Sequence, residues 1–325
     1  MPTRRTLLAG AATALTGVTR PARAEPAPLS FTLNWFAQAE YGGFYQALAD
    51  GLYEQAGVNV TIAQGGPQLN SMQLLLAGRT DLILGGCEQA LLAAGHGLPV
   101  TAIATTTQTY LAGLMTHPDI HDPHDLRGHP ILIGTESRST FWPWLMRTYG
   151  YAPSQAGVDT SNLQPFALNP RAALQTLVTS EPYAAKKQGL AFNYFLLADL
   201  GYPAYGNMIL ASQRIVTERR DAVAAFLRAT GEGWQRYVWG DGRRGDSAIL
   251  AANPSMTQGQ IDFSRETLRR IKAFGPSGSV LGGMTEDRWT TIHETLVSSG
   301  AMADTPDWKK AYTMAFQSAL VARVP

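Results

Sequence analysis

The chain has 325 residues, a formal net charge of +1 and a single cysteine. Its length exceeds what one ordinary hydrophobic core serves and predicts two α/β lobes. A nearly neutral chain without a basic cluster argues against nucleic-acid binding. One cysteine excludes an internal disulfide, so burial of apolar side chains must stabilise the fold.

The N-terminus has the pattern of an export signal. Arg4 and Arg5 precede an uncharged stretch over residues 6–19, and Ala22 and Ala24 form a small-x-small cleavage pattern. The apolar stretch is shorter than the roughly 20 residues that a membrane-spanning helix needs. We therefore expect a signal peptide over residues 1–24, cleaved after about Ala24, and a periplasmic mature protein. The paired arginines fit a twin-arginine signal and also an ordinary secretory signal.

Strands and helices alternate along the rest of the chain. Apolar periodicity in the first third predicts strands over residues 29–34, 58–63, 81–84 and 100–107, and helices over 42–55, 69–77 and 88–94. Beyond it, the pattern predicts strands over 130–134, 163–168, 195–197 and 207–211, and helices over 141–149, 169–177, 222–239, 257–274 and 287–299. Alternation at this spacing indicates βαβ units and an α/β fold.

The loops that follow the predicted strands are the candidates for a binding site. Ligands of open α/β sheets lie beyond the carboxyl ends of the strands. These loops are rich in aromatic, glycine and amide residues, which suit a flat polar ligand. The candidate ligand-binding residues are Asn34, Trp35, Tyr41, Gly85, Gly86, Cys87, Glu88, Tyr110, Ser137, Arg138, Ser139, Glu181 and Tyr183.

Four of these residues have the most specific chemistry, and each has a plain structural alternative. Trp35 can stack on a planar ligand or cap the first strand as a core residue. Glu181 can accept a charge-assisted hydrogen bond from an exocyclic amine, or it can cap a helix. Gly85 and Gly86 can let a ligand approach the backbone, or they can form only a tight turn.

The helix start at Cys87 and Glu88 offers backbone N–H groups to a polar ligand atom. Cys87 itself also fits a buried, small apolar side chain. Tyr41, Tyr110 and Tyr183 are explained equally well as walls of a pocket or as packing residues.

The polar loop with Ser137, Arg138 and Ser139 is the one place suited to an oxyanion. Arg138 supplies the charge for such a ligand, and its alternative is a solvated surface position. The six histidines of the chain show no helical i, i+4 pairing, so we expect no functional metal site. We expect no cofactor either.

The run Leu-Asn-Trp-Phe-Ala-Gln-Ala-Glu-Tyr-Gly-Gly-Phe-Tyr, residues 33–45, resembles the opening of the thiamine-pyrimidine-precursor-binding family. That family groups with the sulfonate, taurine and nitrate receptors of ABC transporters. The likeness continues through residues 51–53, 65–67, 76–81, 125–128, 179–183, 199–202 and 231–237.

The resemblance implies a two-lobe periplasmic-binding-protein fold of type II, with two open mixed sheets flanked by helices and a ligand cleft between the lobes. Lobe I would comprise residues 29–112 and 208–325, and lobe II residues 113–207. The chain would cross between them near Leu114–Met115 and near residues 205–208, and the lobes would close on the ligand by a hinge motion.

The function implied is that of the periplasmic substrate-binding component of an ABC uptake transporter. Its solute would be a small heteroaromatic molecule such as a thiamine-precursor pyrimidine, and the alternative is an alkanesulfonate, taurine or nitrate. Its partners would be the membrane permease and the ATPase of the transporter, and we expect a monomer.

We do not expect an enzyme. No G-x-S-x-G, H-E-x-x-H or phosphate-cradling motif occurs in the sequence. A suicidal pyrimidine synthase of fungi shares the implied fold and uses a lysine, a histidine four residues later and a cysteine run. At the corresponding positions this chain has Gly85 in place of the lysine and Gln89 in place of the histidine, and its residues 201–205 include no cysteine. It therefore lacks the residues that the synthase chemistry needs.

Overall fold

The computed structural model describes residues 26–67 and 69–325. The predicted signal peptide, residues 1–24, lies outside these described residues. Within them the chain forms two five-stranded mixed sheets flanked by helices. This arrangement confirms the α/β fold class that the sequence predicts.

The strands of the described residues divide between the two sheets. They are β1 (Ala27–Thr32), β2 (Val58–Ala63), β3 (Leu82–Gly85), β4 (Val100–Thr105), β5 (Ala112–Thr116), β6 (Ile131–Ile133), β7 (Ala156–Val158), β8 (Ala173–Leu177), β9 (Asn193–Leu196) and β10 (Met208–Ser212). The first sheet has the order β2-β1-β3-β10-β4, and the second has the order β7-β6-β8-β5-β9.

Each sheet combines parallel and antiparallel pairs. In the first, β1 lies parallel to β2 and β3, whereas β10 runs antiparallel to both β3 and β4. In the second, β6 lies parallel to β7 and β8, whereas β5 runs antiparallel to β8 and β9. Residues 106–111 and 197–207 connect the sheets. Leu114 and Met115, expected at a crossing, lie instead within β5, and the predicted lobe boundaries remain a prediction.

The α-helices of the described residues pack around these sheets. They are α1 (Gly42–Ala49), α2 (Leu52–Gln55), α3 (Ser71–Leu76), α4 (Cys87–Gly95), α5 (Phe141–Tyr149), α6 (Gln164–Leu168), α7 (Glu181–Lys187), α8 (Gln213–Glu218), α9 (Arg220–Trp239), α10 (Arg243–Ala252), α11 (Gln258–Arg270) and α12 (Glu286–Ser299). None of the described helices has the length and apolar character needed to cross a membrane.

Close packing of α1 on α9 fixes the loop that follows β1. A Cβ atom on Gly42 would lie 1.9 Å from the ring of Tyr237, and one on Gly43 would lie 2.2 Å from the ring of Trp234. Only glycine permits this approach of two helices. Because α1 begins directly after the loop, its contact with α9 holds residues 34–41 at the end of the first sheet.

Two predicted elements between residues 163 and 177 are wrong. The predicted strand over 163–168 is α6, whose start is marked by the Asn162 side chain accepting a hydrogen bond from the Gln164 amide at 2.8 Å. The predicted helix over 169–177 contains β8 instead, which pairs with both β5 and β6. The pairing partners on either side override the weak helical preference of Ala-Leu-Gln-Thr-Leu.

Candidate ligand-binding cleft

The loops after β1 and β3 of the first sheet face the loops after β6 and β8 of the second, and we call the space between them the cleft. One contact joins them: the hydroxyl of Thr179, after β8, donates a hydrogen bond to the carboxyl of Glu40, after β1. Desolvation raises the pKa of Glu136, after β6, and the charge of Glu88, after β3, adds to that shift.

Glu40, Thr179 and Glu181 form one group of polar side chains, the Glu40 cluster. Thr179 is fully buried and Glu40 is only 4% exposed. Burial raises the pKa of the Glu40 carboxyl above its usual range. Glu181 accepts a hydrogen bond from the Leu177 amide at 2.9 Å. Desolvation by the surrounding protein raises the pKa of Glu181 to about 7, and the charge of Glu40 adds to that shift.

Beside this cluster, the loop after β1 presents Asn34 and Trp35. The hydroxyl of Tyr41 donates to the Asn34 side chain at 2.9 Å, and Tyr41 is itself buried. Trp35 is half-buried, with its ring 5.6 Å from that of Phe36. The Gly65 amide donates to the Trp35 carbonyl at 3.0 Å, and a Cβ on Gly65 would lie 2.4 Å from the Asn34 backbone. This close approach of two loops fixes the backbone that carries the indole, which packs in part against the hydrophobic core.

Glu88, Glu136, Tyr110 and Tyr202 form a second group, the Glu88 cluster. Glu88 is 2% exposed and accepts hydrogen bonds from the Tyr202 hydroxyl at 3.0 Å and the Cys87 thiol at 3.3 Å. The rings of Tyr110 and Tyr202 lie 5.2 Å apart, edge to face. Burial raises the pKa of Glu88. Glu136 is partly accessible to solvent. Desolvation of its carboxyl raises its pKa, and the charge of Glu88 adds to that shift.

Gly85, Gly86 and Cys87 are packed by protein atoms. A Cβ on Gly85 would lie 2.5 Å from the Gln89 side chain and 2.7 Å from that of Leu210, and one on Gly86 would lie 2.9 Å from the Glu88 carboxyl. Cys87 is fully buried. Burial, followed by the neighbouring charge of Glu88, raises the pKa of its thiol well above the usual range. These residues therefore support the position of Glu88.

The loop with Ser137, Arg138 and Ser139 uses its polar groups on the protein itself. Arg138 is exposed, and its guanidinium donates to the carbonyls of Ala156 and Gly157 at 3.0 and 2.7 Å. The Ser139 hydroxyl donates to the Glu136 carbonyl at 2.9 Å, and Ser137 is buried. Among the described residues, no group of three or more His, Cys, Asp or Glu side chains could hold a metal ion.

Tyr183 lies at the side of the cleft, where the two halves of the chain touch. Its ring is 5.6 Å from that of Phe263 on α11. A Cβ on Gly259 would lie 2.6 Å from its hydroxyl, and the ammonium group of Lys187 is 5.9 Å from its ring centre. Tyr183 thus joins α7 to α11.

Sequence reasoning missed four polar residues of the cleft: Glu40, Glu136, Thr179 and Tyr202. The available signal for Glu40 is its position as the one acidic residue in the run 33–45. Thr179 follows β8, which the sequence pattern predicts as a helix, so the pattern does not mark Thr179 as a strand-end residue. Tyr202 lies in a connection between the sheets, where strand-end reasoning does not apply.

Two mixed sheets with facing strand-end loops define the fold of periplasmic binding proteins. The model of the family described as NMT1/THI5 like matches residues 38–238. This match covers more than half of the chain, and the chain belongs to that family.

The chain is also similar to one relative of known sequence and, in fold, to solved structures. The chain is 26% identical over 296 residues to the formylaminopyrimidine-binding protein of Halalkalibacterium halodurans, covering 85% of this chain and 84% of the relative. The periplasmic aliphatic sulphonate binding protein SsuA of Escherichia coli shares the fold with a TM-score of 0.69 at 13% identity, over 88% of this chain and 92% of that chain. The desulfurization enzyme DSZB also shares it, with a TM-score of 0.60 at 13% identity over 90% and 99% of the two chains.

Proposed function

We propose that this protein is the periplasmic substrate-binding component of an ABC uptake transporter and that its solute is an aminopyrimidine of the thiamine-precursor type. Its partners in this role are a membrane permease and an ATPase, and it acts as a monomer. The family membership and the relative that binds a formylaminopyrimidine support the proposal. The observation that carries it is the chemistry of the Glu40 cluster beside Trp35.

The carboxyl of Glu181 matches the hydrogen-bonding edge of an aminopyrimidine. That edge has a ring nitrogen that accepts and an adjacent amino group that donates. A protonated carboxyl has the complementary pair, an O–H donor and a C=O acceptor. Because the pKa of Glu181 is raised to about 7, the group retains its proton up to neutral pH. The half-buried indole of Trp35 offers a flat surface for the ring.

The charges of the cleft disfavour the alternative solute, an oxyanion. Four carboxyl groups, those of Glu40, Glu88, Glu136 and Glu181, have raised pKa values in this region. A sulfonate or nitrate carries a fixed negative charge that would be repelled by each of these carboxyls once it ionises, whereas a neutral aminopyrimidine carries no such charge. The guanidinium of Arg138, which the oxyanion hypothesis requires, is already bonded to two carbonyls.

A binding role also fits better than catalysis, although an enzyme shares the fold. A nucleophilic cysteine needs a lowered pKa and access to solvent. Cys87 is fully buried and the pKa of its thiol is raised. Glu181 lies next to a candidate solute site, but the described residues around it suit recognition by hydrogen bonds and stacking.

The test is a titration of residues 25–325 with candidate solutes, in which binding is monitored by tryptophan fluorescence. We expect a saturable change with a formylaminopyrimidine and with the aminopyrimidine moiety of thiamine, and none with taurine or nitrate. Affinity for the pyrimidine should fall as the pH rises above about 7, because Glu181 then loses its proton. Binding of taurine or an alkanesulfonate with no response to any pyrimidine would overturn the proposal.

A further inference from the structure

We propose that Glu40 is a positioning residue: by binding Thr179 from across the cleft, it fixes the turn over residues 178–180 and thereby orients the carboxyl of Glu181 toward the solute. The inference rests on the proposed function, since it describes how the proposed pyrimidine site is held in shape. It gives a role to a buried carboxyl that does not itself need to touch the solute.

The Glu40 side chain is attached to a rigid part of the first half of the fold. It lies in a short 3-10 helix, Ala39–Tyr41, which runs directly into α1. The contacts of Gly42 and Gly43 hold α1 against α9. Because the backbone that carries Glu40 is fixed by this packing, its carboxyl can determine the position of the group that it binds.

The partner turn is held at three points, and only one of them crosses the cleft from the loop after β1. The Val178 amide donates to the Leu111 carbonyl at 3.0 Å, and the Ser264 hydroxyl on α11 donates to the Thr179 carbonyl at 2.6 Å. The third point is the bond from the Thr179 hydroxyl to Glu40. It ties the loop that carries Asn34 and Trp35 to the turn that precedes Glu181.

The Glu181 carboxyl is held between the turn and the end of β8. Glu181 follows the turn directly, and the amide of Leu177, the last residue of β8, donates to one of its oxygens at 2.9 Å. Leu177 is itself fixed by pairing with Ala112 of β5. Rotation of the turn away from Glu40 would therefore move the Glu181 backbone relative to this fixed amide and turn the carboxyl away from the solute.

Several titratable groups of neighbouring elements act on the two carboxyls. Tyr41 beside Glu40 and Tyr237 on α9 have raised pKa values, so they are neutral near pH 7. Asp159, after β7, and Tyr194, on β9, interact with Glu181. Among these neighbours Glu40 contributes a larger effect on the pKa of Glu181 than Asp159 does. Removing the charge of Glu40 therefore lowers the pKa of Glu181.

The first experiment compares two threonine-to-valine substitutions that are equal in chemistry but different in place. Thr179→Val removes the donor to Glu40. Thr176→Val, in the same strand region, removes a buried hydroxyl that has no hydrogen-bond partner among the described residues. We expect about a tenfold loss of affinity for a formylaminopyrimidine in Thr179→Val, the size of one lost hydrogen bond. Thr179→Ser should recover most of it, and Thr176→Val should match the wild type.

The second experiment reads a property that a merely structural role would not move. Carbon-13 NMR of the glutamate carboxyls gives the pKa of Glu181 in the free protein, with and without Glu40→Gln. We expect a lower pKa for Glu181 in the variant, and the pH at which pyrimidine binding weakens should shift down with it. Melting curves establish that each variant is folded.

Two results would overturn the inference. One is an equal loss of affinity in Thr179→Val and Thr176→Val, and the other is an unchanged pKa of Glu181 in Glu40→Gln. The NMR measurement needs no solute. If the wild type binds no pyrimidine, the proposed function fails, while the shift in the pKa of Glu181 still decides whether Glu40 acts on it.

Discussion

Glu40 and Glu88 occupy comparable places and are held in different ways. Both are buried carboxyls after strands of the first sheet, and burial raises the pKa of both. The partners of Glu88 are the adjacent Cys87 thiol and tyrosines of the connections between the sheets, Tyr202 among them. The hydrogen-bond partner of Glu40 is a hydroxyl from the opposite turn. The Glu88 carboxyl therefore has its hydrogen-bond partners in its own helix and in the connections between the sheets. The Glu40 cluster instead depends on how the loop after β1 meets the turn after β8.

The largest effect is expected for Glu181→Ala, which removes the carboxyl of the Glu40 cluster that we propose binds the solute. Affinity for the aminopyrimidine should fall by about 100-fold, close to 3 kcal/mol for the loss of the two hydrogen bonds that the neutral carboxyl is proposed to make. The control is Glu218→Ala, because Glu218 forms only an exposed ion pair with Arg214. An affinity in Glu181→Ala within about threefold of the wild type would place the solute elsewhere.

Stability should also respond to pH through Glu181. Its folded pKa of about 7 lies above the ordinary value of 4.5. The stabilising contribution is therefore complete below pH 4.5 and is lost as the pH rises through about 7, on the order of 3 kcal/mol. Thermal melting across this range should show a falling Tm in the wild type and a smaller fall in Glu181→Gln. A steeper fall in the variant would contradict the assigned direction.

Tyr202→Phe tests the other side of the comparison. It removes a donor from buried Glu88, so the free energy of unfolding should drop by about 1–3 kcal/mol. Solute affinity should stay within about twofold, since this cluster is complete without solute. Adding Glu88→Gln should recover part of the stability, because a neutral amide needs less compensation. Loss of affinity without loss of stability would instead make the Glu88 cluster part of the solute site.

The smallest effect is expected for Arg138→Ala. The guanidinium is exposed and binds two carbonyls of β7, so unfolding should change by no more than about 0.5 kcal/mol. Pyrimidine affinity should be unchanged in a fluorescence titration. The oxyanion hypothesis requires the opposite result, namely loss of binding.

Regular apolar patterns made much of the fold predictable. The predicted helices over 141–149 and 222–239 correspond to α5 and α9, and the strand over 58–63 coincides with β2. The predictions for residues 163–177 are wrong because the local preference of that segment opposes the pairing of β8 with β5 and β6. The antiparallel position of β10 between β3 and β4 depends on contacts distant in sequence, which no local pattern encodes.

The cleft was less predictable than the fold. Strand-end reasoning selects loops, and it finds Trp35 because Trp35 directly follows the first predicted strand. It does not state where a flexible side chain turns, so it could not show that Arg138 binds carbonyls of its own domain. Nor could it pair Glu40 with Thr179, since that contact depends on how the loops from two sheets are placed.

The return of β10 into the middle of the first sheet has a consequence for how the chain acquires its structure. Residues 208–212 separate β3 from β4 and pair with both, so the N-terminal strands lack a central member until everything up to that point has been made. The first sheet therefore cannot form completely before residues 208–212 are present. We expect denaturant to melt both sheets in one cooperative transition, and long-range pairing of this kind to make refolding slow.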